Sequence, residues 1–247
     1  MSEFKFPTET IDLPSKGFLY PKDNPLSSGK IEMKYMTAKE EDILTNQNYI
    51  KNGTVIDELL KSLIISKINY NDLLVGDKNA LLVAARVLGY GKDYTFMYNG
   101  EEITVDLASL DNKEFNTSEL TQGVNEFAFT LPHSQTSITY RLLTHGDENK
   151  IAAEIKGLKK INKKSSPELS TSLKYMITSV NGDTELKSIR DFVDNYMLAI
   201  DSRALREDVK EKQPDIDLTF EYENSDGVVG DVDIPIGINF FWPDIKL

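Results

Sequence analysis

The sequence predicts an α+β fold: two helical units separated and followed by β-hairpins, with an extended N-terminal arm and an aromatic C-terminal tail. Three observations predict it. Apolar residues recur at helical spacing in two blocks, 36–92 and 146–212. In the blocks 93–145 and 213–247 the spacing drops to two, and Asn99-Gly100 sits between alternating runs as a tight hairpin turn. The first 35 residues carry Pro7, Pro14, Pro21 and Pro25, which deny helix.

Taken in order, residues 1–35 read as an arm, turns and a first strand. "KIEMKYM" (30–36) alternates Ile31, Met33 and Tyr35 with Glu32 and Lys34. Thr37 and Glu40 form a capping box that opens a helix. A second helix opens at Thr54, with Val55, Ile56, Leu59, Leu60, Leu63 and Ile64 on one face. The third, near Asp77, is apolar almost all round. That suits a central buried helix ended by Gly89 or Gly91. Two hairpins follow: one about Asn99-Gly100, the other pairing 125–131 with 137–143.

In the second helical unit, Ile151, Ile155 and Leu158 make one stripe. Ser166-Pro167 starts a helix carrying Leu169, Leu173, Ile177 and Val180, and "NGD" stops it. Asp183 or Thr184 caps the next, whose face is Ile189, Phe192, Val193, Tyr196, Met197 and Ile200. Charged "SRALREDVKEK" extends that helix or forms a short further one. A closing hairpin turns at "NSDG". Its "TFEYEN…VDI" (219–234) echoes "TFMYNG…VDL" (95–107), through either a repeated unit or convergence of strand-turn-strand letters.

The 247 residues can bury a sizeable core without covalent staples. With no cysteine, disulfides and thiolate-bound metals are excluded. The net charge of −12 argues against nucleic acid as the main partner, because phosphate repels such a field. No apolar run approaches the ~20 residues of a membrane span, and "MSEFKFPTET" has no apolar signal core. Expected, then, are no nucleic acid, no membrane span and a cytoplasmic place of work.

No reaction is written in the residues, and neither a catalytic residue nor a cofactor is expected. His133 lies in a hairpin turn and His145 at a strand-to-helix junction, both without motif context. "GYGKDY" (89–94) lacks phosphate-loop spacing and follows a helix. "EED" (40–42) and "DVD" (231–233) lack a calcium-loop frame and read as solvated faces. Lys156, Lys159, Lys160, Lys163 and Lys164 form one basic cluster, either a solvated helix face or a surface for an acidic protein partner or nucleic acid. Arg86, among Val83, Ala84, Ala85, Val87 and Leu88, needs a partner if buried. Glu40, Glu41, Asp42 or Asp72 could lock it; otherwise it snorkels to solvent.

The two ends hold apolar surface that regular elements do not explain. "LPSKGFLY" (13–20) sets Leu13, Phe18, Leu19 and Tyr20 among Pro14, Gly17 and Pro21. "NFFWPDIKL" (239–247) carries Phe240, Phe241 and Trp242; if extended, it points rings to both sides. These seven residues are candidates for partner binding. The other reading is that arm and tail cover their own domain.

"IDLPSKGFLYP", "GKIEMKYMTAKEEDIL", "NGTVIDELL", "LLVGDKNALLVAARVLGYGKDY" and, near the end, "IPIGINFFWPDI" resemble the baseplate hub protein family of T-even-type contractile-tailed bacteriophages. The blocks cover about 11–110 and the last dozen residues; 112–215 matches only in helical pattern. The resemblance implies a tail morphogenesis protein, either a hub subunit or a hub-assembly chaperone. Its partners would be other baseplate hub proteins and its location the host cytoplasm during assembly, or the virion baseplate for a resident subunit. It implies no catalytic residues and leaves oligomeric state open. The alternative from another class is a hub enzyme such as a peptidoglycan hydrolase, which needs two separated acids in a cleft.

Overall fold

The structure, a computed structural model, describes residues 7–118, 120–161, 167–223 and 229–241. It is α+β, with helices packed among small antiparallel sheets. β1 (Thr8–Asp12) pairs with β2 (Lys30–Lys34), Ile11 opposite Ile31. Ile31 and Met33 turn inward while Lys30 and Glu32 face solvent, as the alternation requires. Three helices follow: α1 (Ala38–Leu44), α2 (Gln47–Asn52) and α3 (Val55–Leu63). The expected capping box opens α1, with the Thr37 N–H and hydroxyl donating to Glu40 at 3.0 and 2.6 Å. Leu59, Leu60 and Leu63 bring the α3 stripe into the core.

α4 (Val75–Tyr90) is the expected buried helix, closed by Gly91. After it, β3 (Asp93–Tyr98) and β4 (Glu101–Asp106) form the expected hairpin. Asn99 and Gly100 both have positive φ, 50° and 89°, as a primed turn demands. β5 (Phe127–Thr130) and β6 (Ser137–Tyr140) form the second hairpin. α5 (His145–Ile161) and α6 (Glu168–Met176) come next.

Here the structure corrects the sequence reading. Ile177 and Val180 do not continue α6. They belong to β7 (Ile177–Val180), which adds to β6 with Ile138 opposite Val180. The spacing Leu169, Leu173, Ile177, Val180 fits a helix. However, Ile177, Thr178 and Val180 are β-branched, and β6 offers them an open edge. Leu169 is left 49 % exposed. The following helix also stops sooner: α7 (Leu186–Asn195) ends before Tyr196, and α8 (Ala199–Lys212) is a separate helix of 14 residues. Tyr196 and Ile200 therefore leave the expected face and stand in solvent. Neither Asp183 nor Thr184 is the cap residue of α7, which is Glu185, although Asp183 accepts the Glu185 N–H at 2.9 Å.

β8 (Thr219–Glu223) and β9 (Val229–Asp233) are the last strands among the described residues; the turn between them lies outside these. Equivalent rings of the two echoing hairpins meet edge to face, Phe96 with Phe220 at 6.1 Å and Tyr98 with Tyr222 at 6.2 Å. Their pairing registers differ, since Val105 opposes Tyr94 whereas the aligned Val232 opposes Phe220. The described part of the tail, up to Phe241, is not extended. Ile238–Phe241 makes a helical turn, α9. One buried apolar cluster, from Leu13 to Phe241, joins most of these elements; the buried Ile151 and Ile155 of α5 and Val232 of β9 lie apart from it.

Candidate docking site

The apolar side chains of the terminal segments are the first candidates for docking, and among the described residues most of them lie inside. Leu13, Leu19 and Tyr20 are 1 %, 2 % and 4 % exposed. Consecutive tight turns fold the arm: Lys16 N–H donates to the Leu13 carbonyl and Phe18 N–H to that of Ser15. Gly17 is required there because a β-carbon would meet the Ser27 carbonyl oxygen at 2.4 Å. The Ser15 N–H and hydroxyl donate to Asp77 at 2.9 and 2.7 Å, and the Tyr20 hydroxyl at 2.6 Å. The Leu74 N–H in turn donates to the Tyr20 oxygen at 2.9 Å. "LPSKGFLY" is thus a plug over the start of α4, accepting the N–H of its N-cap residue Leu74 and donating to Asp77 in its first turn. Burial of the Tyr20 phenol, then the Asp77 charge, push its pKa well above the usual tyrosine range. Phe18 is half-buried, edge to face with Phe115 at 6.5 Å.

Phe240 and Phe241 are likewise fully buried. The helical turn brings both rings to the core side, where Phe240 meets Tyr94 at 4.8 Å. The docking expectation for Leu13, Leu19, Tyr20, Phe240 and Phe241 is therefore corrected, because these side chains build the core, while half-buried Phe18 packs against it. Trp242 lies outside the described residues.

Arg86 is buried, as a lock requires, but its described hydrogen bonds are not to carboxylates. It donates to the carbonyls of Gly91 at 2.8 Å and Asp93 at 3.1 Å, and it lies over the rings of Tyr90 and Tyr94. A planar guanidinium fits two carbonyls and two ring faces at once. The expected partners are occupied or exposed. Glu40 takes Lys34, Thr37 and Ser62, Asp72 takes Asn24 and Asn69, and Glu41 and Asp42 face solvent.

What the surface does offer is a groove of about 740 Å³ between α5, α6 and the end of α8. Ile151, Ile155, Met176 and Val209 make its walls and floor, each under 10 % exposed and so recessed. Ala152 stands exposed at its edge. Lys156 and Lys159 line the α5 rim, so two members of the basic cluster flank apolar surface; Lys163 and Lys164 lie outside the described residues.

Ion pairs fix the walls. Glu154 of α5 accepts two bonds from Arg190 of α7, at 2.7 and 2.8 Å, and one from Tyr175 of α6. α8 is held at both ends. Asp201 accepts the N–H groups of His133 and Ser134 in the β5–β6 turn, and Asp208 accepts the Tyr140 hydroxyl. At the start of α5, Asp147 takes both arms of Arg141, at 2.6 and 2.7 Å.

Ionisable groups also gather at one end of the groove. Buried His145 lies edge to face with Tyr70 and within 3.3 Å of Lys78 and Glu148, with Asp57 at 3.6 Å. Burial pushes the Glu148 carboxyl up, but hydrogen bonds from His145 and Lys78 outweigh it and hold the carboxyl below its usual range. Glu148 is thus kept as a paired anion. The carboxyls raised by burial are Asp77 and Asp215. Asp77 is enclosed by the arm and Asp215 receives Asn79 and Gln213, so each already has donors. Among the described residues no group of three or more His, Asp or Glu is placed to hold a metal ion, and no helix is long and apolar enough to cross a membrane.

Sequence reading missed this groove. Its signal was the stripe of Ile151 and Ile155, one turn apart on α5, with Val209 inside a stretch dominated by charge. No protein-family model, curated protein or solved structure matches this chain.

Proposed function

We propose that this chain is a bacteriophage tail morphogenesis protein, a baseplate hub subunit or hub-assembly chaperone, that acts by binding other hub proteins and catalyses nothing. The family reading comes from the sequence blocks in 11–110 and near the end. The observation that carries the mode of action is the apolar groove between α5, α6 and α8. It is a preformed concavity with recessed aliphatic walls, held by ion pairs that leave its floor free of charge. The hydrolase alternative has less support, because Glu148, the acid at the groove with a lowered pKa, is tied to Lys78 and His145.

The test is co-purification. A tagged chain expressed during infection by its phage should bring down baseplate hub proteins. Recovery of the chain alone, or lysis of host cell walls by the pure protein in a zymogram, overturns the proposal. Mass spectrometry of purified virions divides the two roles: a stoichiometric signal marks a resident subunit and its absence a chaperone.

A further inference from the structure

We infer that the occupant of the groove is an acidic amphipathic helix of a partner protein. The inference rests on the docking reading above and names the chemistry of the partner.

Shape argues for a helix. Along α5 the lining runs from Glu148 to Lys159, a rise of roughly 16 Å or three helical turns. The walls are helices whose backbone groups are already bonded, so they present no free strand edge for an extended peptide. Side chains must therefore make the contact. An apolar stripe repeating every three or four residues matches a floor set by Ile151 and Ile155, one turn apart.

Charge argues for acid. The chain as a whole carries −12, yet the groove rim is not acidic in balance. Of the two carboxylates on the rim, Glu148 is neutralised by Lys78 and Glu168 faces Lys159 at 3.5 Å. Lys156 makes no ion pair among the described residues, and Lys160 follows it one turn on, exposed. A basic edge on an acidic molecule repels further copies of the same acidic chain least, but attracts most a partner that brings carboxylates to that one edge. A second copy would bring its whole negative field with it.

The experiment is fluorescence anisotropy with two labelled 14-residue peptides that share one leucine stripe. One carries glutamate on its polar face and the other lysine. The glutamate peptide should saturate the protein and bind about tenfold tighter than the lysine peptide. Its affinity should fall between roughly 50 and 500 mM salt. Lys156→Glu with Lys160→Glu should reverse the preference. Ala152→Glu, at an exposed helical position, should weaken the glutamate peptide while leaving the far-UV spectrum and Tm unchanged. Equal binding of both peptides, no saturable binding, or a dimer in sedimentation velocity that Ala152→Glu dissociates each overturns the inference. If the peptide fails while Ala152→Glu still strips hub proteins from the tagged chain, the partner chemistry falls and the docking reading stands. If the peptide binds but no hub protein co-purifies from infected cells, the docking reading falls.

Discussion

Tyr20 donates its hydroxyl proton to Asp77 across 57 positions of sequence, at 2.6 Å and inside the core. The same oxygen accepts the Leu74 N–H. One hydroxyl thereby joins the arm to the first turn of α4, and this is why a broken, apolar octapeptide is worth its conformational restriction.

Removing that hydroxyl alone should show it. Tyr20→Phe leaves the Leu74 N–H without its acceptor and Asp77 short of a donor, both in a site closed to water. A loss of about 1–3 kcal/mol is expected. In urea unfolding the midpoint should fall with an unchanged slope. An unchanged midpoint would mean that the arm contributes only apolar burial.

Asp77 makes a pH-dependent contribution of the unusual sign. Burial raises its carboxyl, the bonds from Tyr20 and Ser15 lower it, and the charge of Asp215 raises it again; the net direction is up. A carboxyl raised on folding stabilises most below its unfolded pKa and loses that contribution as pH rises through the folded value. The stability difference between wild type and Asp77→Asn should therefore shrink as pH rises above the unfolded carboxyl range of about 4. A difference that grows with pH would contradict the assignment.

Glu40 runs the other way. Burial pushes it up, but Lys34, Thr37 and Ser62 outweigh this and hold it at about 2. Its contribution is complete above the unfolded carboxyl range and is lost as pH falls toward 2, amounting to about 3 kcal/mol. Glu40→Gln should remove that part of the acid sensitivity, read as a flatter dependence of unfolding midpoint on pH. The same slope in both proteins would place the acid sensitivity elsewhere.

The meeting of the two echoing hairpins is measurable as a coupling. Phe96 and Phe220 approach edge to face, so a double-mutant cycle to leucine should give about 0.5–1.5 kcal/mol between them. Additive losses would show that the hairpins stand side by side without mutual support.

Much of this fold was legible in the sequence. The capping box at Thr37, the buried α4 and the Asn99-Gly100 turn were readable because each is settled by residues within a few positions. The readings that failed were decided at a distance. Ile177–Val180 satisfies both periods, and only the waiting edge of β6 selects the strand. Arg86 signalled burial and a need for partners, and it is buried with partners; that carbonyls just beyond its own helix are among them is written in no letter of the sequence. The apolar ends were read correctly as needing cover. For the arm, that the cover is the protein's own interior depends on Asp77, which in one dimension is merely the third residue of a helix; for Phe240 it depends on Tyr94, far away in sequence. The groove was least legible of all, since three helices from separate stretches make it and none looks unusual alone.

The most direct measurement is quantitative mass spectrometry of proteins recovered with the tagged chain from infected cells, comparing wild type with Ala152→Glu. Ala152 is exposed, and glutamate one turn before Lys156 suits a helix surface, so the variant should fold as wild type does. The account predicts that wild type recovers baseplate hub proteins and that Ala152→Glu recovers far less of them at equal Tm. Equal recovery by the two proteins would contradict it.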